Sequence, residues 1–488
     1  MRTPGMAAQR SIAIAAKNGM RRPKPPSLSR GCGLWTATAL LLSGGWPSAR
    51  RSVVWSAAAL AAKDKAPGAD RGATTLFSSP LSPSPSSFTI HSSISELLSE
   101  HDYDAFILDQ FGVLHNGKDP LPGAVDCVER ISAVSSGDDD DDDDDTPKTT
   151  RKQLLLTVLS NTSSPAKTTL DRLHNRLGFD RSRFIGAVTS GEEAARYIRE
   201  TFGGPPAAQA ERQTERQTKR FFVWCTWDRD NQNVPDPLEF LELCGPGIEP
   251  TLDVDRADFV VAHGSGAIRG VRDGGGGDRG LEVRSMGTFL DDGDLGEGTP
   301  IHGLLSRCAD ANLPMVCANP DEVVMYHDGS LKHMPGKLAG AYERILRERS
   351  TAEGGEGTGE RTPTIRIFGK PHREHFEACL RDLDLAHRRR NQQQQQQQQQ
   401  PPPAPGGEPE REGPRAALRV AHVGDSLHHD VAGANASGIP SIFVAGGIHA
   451  EELWGEGERD LPPSRAVLEE FFAREGHTPT HVVPAFRF

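Results

Sequence analysis

Three aspartates, one lysine and one serine stand where short apolar runs end. Asp109 follows Ala105–Leu108, Ser160 follows Leu154–Leu159, Lys370 lies two residues beyond Thr364–Phe368, and Asp425 with Asp430 follows Leu418–Val423. Each run has the length and composition of a buried strand. In a parallel open sheet the carboxyl ends of the strands line the ligand crevice, so a polar residue just past such a run is held where a substrate arrives. Singly, these signals are weak. A strand-terminal Asp is commonly a turn former or helix cap, Ser160-Asn161 is also a plain helix cap, and Gly369-Lys370-Pro371 is a common tripeptide.

Together they describe one kind of chemistry. A carboxylate at Asp109 can act as a nucleophile, and Gly112 permits the tight turn behind it. The Ser160 hydroxyl and the backbone N–H groups around Asn161 can hold a phosphate oxygen, because a helix follows with Pro165 in its first turn and Leu170, Leu173 and Leu177 on one face. A lysine at position 370 can neutralise both a nucleophilic carboxylate and a transferring phosphoryl group. Asp425 and Asp430 straddle a strand-to-helix turn, from which both can bear on one hard cation such as Mg²⁺. His428 and His429 are poor Mg²⁺ ligands and are assigned to structure. The Ser190–Glu193 spacing matches a capping box and is also assigned to structure.

The elements that position these residues fill only part of the 488-residue chain. Asp138–Asp145, Gly274–Gly277, the Gly/Glu/Thr segment from Thr351 to Arg361, and Gln392–Gln400 with Pro401–Pro403 are too polar or monotonous to offset the entropy of ordering them. Setting these and the N-terminal region aside leaves roughly 300 foldable residues, a core domain plus one smaller module. The first 63 residues hold ten Lys or Arg and no Asp or Glu, the acid-poor composition of an organellar presequence. The expectation is delivery to a plastid or mitochondrion after cleavage, and otherwise a cytoplasmic protein, with secretory entry left open. A Ser/Pro-rich linker, residues 64–88, follows it.

Eight of the twelve net negative charges lie in the aspartate run, so the charge of -12 identifies no partner. An acidic chain argues against nucleic acid, whose phosphates need a cationic surface. Leu34–Leu42 is well short of the roughly 20 residues that span a bilayer, so no membrane partner is expected. The seven cysteines show no CxxC pairing, which argues against a zinc site and a disulfide framework.

The order Asp, Ser, Lys, Asp-x-x-x-x-Asp, each at a strand end, resembles the four motifs of the haloacid dehalogenase (HAD) superfamily. Asp109–His115 (DQFGVLH), Gly424–Asp430 (GDSLHHD), Gly446–His449 and the tail Val482–Phe486 are similar to a plant and bacterial subgroup of its class IIA. The resemblance implies an α/β fold, a Rossmann-like parallel sheet core at 89–221 and 336–488 with an inserted α/β cap domain at 222–335, and low-complexity inserts near 350–362 and 388–415. It further implies a phosphatase acting on a small phosphate ester. Asp109 would be the nucleophile and Lys370 the neutralising cation. Ser160 and Asn161, with Asn319 and Asp321 from the cap, would bind substrate. Asp109, the Phe111 carbonyl, Asp425 and Asp430 would serve Mg²⁺. One position departs from the pattern: phosphatases of the superfamily usually carry a second Asp two residues after the nucleophile, as general acid and base, and Phe111 stands there. A phosphoester-binding protein without turnover is therefore the alternative. A carbon–halogen hydrolase would have no use for the Asp425–Asp430 pair.

Overall fold

The computed structural model describes residues 87–133, 153–203, 219–227, 237–271, 281–286, 298–325, 331–352, 363–398, 417–455 and 461–488. The presequence, nearly all of the linker, the aspartate run, Gly274–Gly277 and most of the Thr351–Arg361 segment lie outside them. In chain order the strands are β1 (Thr89–Ile90), β2 (Ala105–Leu108), β3 (Leu155–Ser160), β4 (Phe184–Thr189), β5 (Arg220–Trp227), β6 (Ile248–Pro250), β7 (Phe259–Ala262) and β8 (Gly266–Gly270). They continue as β9 (Glu282–Ser285), β10 (Met315–Cys317), β11 (Val323–Met325), β12 (Leu331–His333), β13 (Ile365–Ile367), β14 (Val420–Gly424), β15 (Ser441–Val444) and β16 (His481–Val483).

Seven of these form an all-parallel sheet in the order β1-β16-β15-β14-β2-β3-β4. Its central strands read as largely apolar runs, broken by Thr157 in β3 and His422 in β14, because helices cover both faces. Along β2, Phe106 and Leu108 enter one buried cluster with the helices Ile94–Glu100, Ala124–Ser132 and Ala166–Leu177. Ala105 and Ile107 point the other way, into Phe376, Cys379 and Leu383 of the helix Arg373–Gln398. The period of two thus distributes one strand between two core layers. The low-complexity insert expected from about residue 388 begins as the continuation of that last helix through Gln398. Glutamine is a good helix former, and adding residues to a helix already nucleated by packing costs little.

The second sheet is mixed, in the order β13-β10-β7-β5-β8-β9 with β6 on β5, and a small β11–β12 hairpin stands apart. It reaches beyond the expected 222–335 at both ends. Helix Ser190–Phe202 buries Ala194, Ala195 and Ile198 against it. The helix Pro335–Ala352 packs Leu338, Tyr342 and Ile345 on its other face, and β13 pairs with β10 through Met315↔Ile365 to Cys317↔Ile367. The run before Lys370, expected among the core strands, is therefore an edge strand of the second sheet. Its burial alternates intermediate and exposed, as an edge position allows and a central parallel strand does not. No helix among the described residues is long and apolar enough to cross a membrane.

Candidate active site

β2 and β14 are neighbours at the centre of the parallel sheet, paired from Val420↔Ala105 to Val423↔Leu108, and the Asp109 N–H donates to the Val423 carbonyl at 2.9 Å. Asp109 and Asp425, each one residue past its strand, are thereby brought side by side. The Asp425 carboxylate accepts the Ile448 N–H at 2.8 Å and sits between two glycines. A Cβ at Gly112 would lie 1.7 Å from Asp425 Oδ2, and one at Gly447 would lie 2.1 Å from it. Gly112 also has φ +79°, which L side chains rarely adopt. These two backbone positions must lack side chains for the carboxylate to seat.

Lys370 arrives from the second sheet. Its ammonium is 2.6 Å from Asp109 Oδ1 and 2.7 Å from Asp430 Oδ1, and all three side chains are buried. Asp430 is held further by His422 Nε2 at 2.8 Å and by the Ser426 N–H, which donates to Oδ2 at 3.0 Å. Both Asp430 oxygens are thus engaged, which makes it the support that orients Lys370. His422 was missed as a site residue, although its sequence position carries a signal. A histidine inside an apolar strand run is a buried polar group that needs a partner.

The carboxylates of Asp109, Asp425 and Asp430 each present an oxygen within 4.8 Å of the others. Against three negative charges the cluster holds one ammonium, a deficit of two. Burial pushes Asp109 up to about 7, with Lys370 pulling down and Asp430 pushing up. Burial and the charges of Asp109 and Asp430 raise Asp425 well above the carboxylate range. Asp430 differs: burial opposes its ionisation, but Lys370 and His422 outweigh that and hold it below the ordinary range. A buried acidic cluster of this kind becomes fully ionised only with additional positive charge. A divalent cation supplies the missing two charges, and oxygen donors suit Mg²⁺. The turn after Asp109 fits as well. Its bridge to His115 is made by the Gln110 carbonyl, which accepts from the His115 N–H, and by the Gly112 N–H, which donates to the His115 carbonyl, so the Phe111 carbonyl stays outside it.

An expected outcome follows for stability. Mg²⁺ should raise the thermal midpoint of the wild type, by the equivalent of about 2.7 kcal/mol at a hundredfold excess over Kd, because it binds only the folded site. Asp425→Ala should lose that rise. Equal shifts in both proteins, read by differential scanning fluorimetry, would place the ion elsewhere.

The remaining expected substrate residues divide. Ser160, the last residue of β3, lies at the carboxyl edge beside Thr189, its register partner. Asn161 is committed internally: its Oδ1 accepts the Lys370 N–H at 2.6 Å, and its Nδ2 donates to Asp321 Oδ1 at 2.9 Å. Asn319 is 1% exposed, and its Oδ1 accepts the Asp321 N–H at 2.8 Å in a local turn. Both asparagines thus help position the loops they sit on, Asn161 through the Lys370 backbone and the Asp321 carboxylate and Asn319 through the Asp321 backbone, as buried amides find partners within the protein. Asp321 is half-buried, with His429 Nδ1 3.6 Å away. His428 pairs with Glu475 at 2.9 Å. Thr189 rather than Ser190 caps the helix, accepting the Glu192 N–H at 3.3 Å, while the Ser190 hydroxyl donates to the Thr162 carbonyl at 3.0 Å.

Two family models match the chain: residues 106–222 match one described as haloacid dehalogenase-like hydrolase, and residues 367–485 match one described as HAD-hydrolase-like. A comparison with curated proteins gives no match. Among solved structures, the chain is similar to a haloacid dehalogenase-like hydrolase from Brucella suis 1330, with 21% identity, 80% of this chain and 98% of that one covered, and a TM-score of 0.47. A possible sugar phosphatase of the HAD superfamily from Cytophaga hutchinsonii gives 14% identity, 82% and 99% coverage and 0.46. A p-nitrophenyl phosphatase from Archaeoglobus fulgidus gives 18% identity, 79% and 97% coverage and 0.42. Matched in chain order on either side of the inserted sheet, the two models carry the residues that meet in the crevice, and the chain belongs to the haloacid dehalogenase-like hydrolases.

Proposed function

We propose that the protein is a Mg²⁺-dependent phosphatase of class IIA that hydrolyses a small phosphate ester through an aspartyl-phosphate. The observation that carries this reading is the buried Lys370 ammonium bridging Asp109 and Asp430, with Asp425 beside them. Mg²⁺, held by Asp109, Asp425 and the Phe111 carbonyl, would offset the negative charge of a bound phosphoryl group. Asp109 then attacks phosphorus, forming a carboxylate O–P bond as the bond to the ester oxygen breaks, and water later returns the phosphate. Lys370 stays in place to neutralise charge on Asp109 and on the phosphoryl oxygens. Ser160 holds one of those oxygens. Asn161, bonded to both Lys370 and Asp321, keeps the lysine loop in register with the core. The second sheet, inserted between Ser160 and Lys370, supplies the walls that select the substrate.

The test is turnover by the purified protein across a panel of aryl, acyl and sugar phosphates, with and without Mg²⁺. Metal-dependent phosphate release from at least one class is expected. Phe111 favours the second reading, a phosphoester-binding protein without turnover. Saturable binding of these esters with no phosphate released would decide for it.

A further inference from the structure

Three histidines converge at the edge of the parallel sheet, away from the crevice. His91 follows β1, and its N–H donates to the Val482 carbonyl at 2.9 Å. His101 closes the helix Ile94–Glu100, and its N–H donates to the Leu97 carbonyl at 2.9 Å. His481 opens β16 opposite Thr89. The ring centroids are 5.6 Å apart for His91–His101, 5.4 Å for His91–His481 and 4.4 Å for His101–His481. Tyr103, which contacts His481, lies before β2 while Asp109 lies after it. The length of that strand, about 13 Å from Ala105, separates this cluster from the crevice.

We propose that His91, His101 and His481 form a second metal site, for a borderline divalent cation of the zinc class. Each offers a ring nitrogen within 4.8 Å of the other two. Tetrahedral zinc with Zn–N near 2.0–2.1 Å brings its donors to about 3.4 Å, a contraction that small ring rotations supply. The second observation is that His91 Nδ1 and His101 Nε2 are buried and have no hydrogen-bond partner. Histidine is polar at both nitrogens, and a buried one left bare is an uncommon expense.

The surroundings suit a cation. Thr89 Oγ1 is 2.8 Å from His91 Nε2 and 2.6 Å from His481 Nδ1, and the Tyr103 hydroxyl is 2.8 Å from His481 Nε2. If His91 donates from Nε2 to Thr89, the Nδ1 lone pair is free for an ion, the outer-sphere arrangement that fixes a ligand tautomer. His481 joins by exchanging one of its two hydroxyl partners for the ion. The Glu100 carboxylate, largely exposed, lies 3.7 Å from His91 Nδ1 and can complete the coordination or offset the charge. The cysteine spacing argued against zinc because it registers thiolate sites alone. Once bound, the ion would tie β1 and its following helix to β16.

The probe is Zn²⁺ alone, titrated into the metal-free full chain carrying Asp425→Ala, so that the crevice does not compete. One tight equivalent is expected by competition with a chromophoric chelator, together with a raised thermal midpoint. Adding His101→Gln should weaken zinc binding at least tenfold and remove the rise in midpoint. His91→Asn is the second variant should the first misfold. Mg²⁺ should give no such rise in the Asp425→Ala chain. Zinc affinity unchanged by both histidine variants, or no stoichiometric zinc in the Asp425→Ala chain, would overturn the site.

Discussion

Replacing Asp109 by Asn should abolish turnover, on the order of 10⁶-fold by comparison with other losses of a covalent nucleophile, without lowering the thermal midpoint. The two halves of this expectation have separate causes. The amide is nearly isosteric but cannot attack phosphorus, so no aspartyl-phosphate forms and the first chemical step is lost. Stability should hold because the buried cluster carries three carboxylates against one ammonium, and burial already holds Asp109 up to about 7. An amide removes one uncompensated charge, while Lys370 keeps Asp430 at 2.7 Å. Single-turnover phosphate release and a thermal scan of the same sample check both halves. Retention of more than a small fraction of activity in a correctly folded variant would remove Asp109 as nucleophile.

Phe111→Asp should accelerate breakdown of the phospho-enzyme, with a gain in the range of about 10²–10⁴-fold that positioned general acid–base catalysis supplies. In the wild type no carboxylate stands at 111 to protonate a leaving alkoxide or to activate water. Aryl and acyl phosphates, whose leaving groups depart unaided, should therefore react measurably and sugar phosphates weakly, with the phospho-enzyme accumulating as a burst. The Phe111 ring is half-exposed and contacts His115 edge-on at 6.2 Å, so its removal takes little from the core. The comparison to make is pre-steady-state product release by the two proteins. Rapid, burst-free turnover of sugar phosphates by the wild type would mean that another group provides the acid and base. Asp321 with His429, 3.6 Å apart beside the Asn161 clamp, is then the pair to substitute.

Much of this molecule is written locally. Apolar runs of strand length, ended by Asp109, Ser160 and Asp425, are legible because a buried parallel strand demands an unbroken apolar face and its carboxyl end opens on the crevice. The chain order of the chemical residues pointed to one cluster, and Asp109, Lys370, Asp425 and Asp430 do meet. The Leu170, Leu173 and Leu177 stripe likewise marked a helix that buries those residues. Other features depend on partners hundreds of residues away, which periodicity does not encode. Only the fold decided that Lys370 enters on an edge strand of the second sheet, because β13 finds β10 and not a core strand. Only the fold turned Asn161 and Asn319 inward to satisfy backbone groups. It also set His422 under Asp430 and gathered His91, His101 and His481 from opposite ends of the foldable chain. A residue's type sets what it can bond to, its neighbours in sequence set the local element, and long-range packing alone selects which of its possible partners it meets.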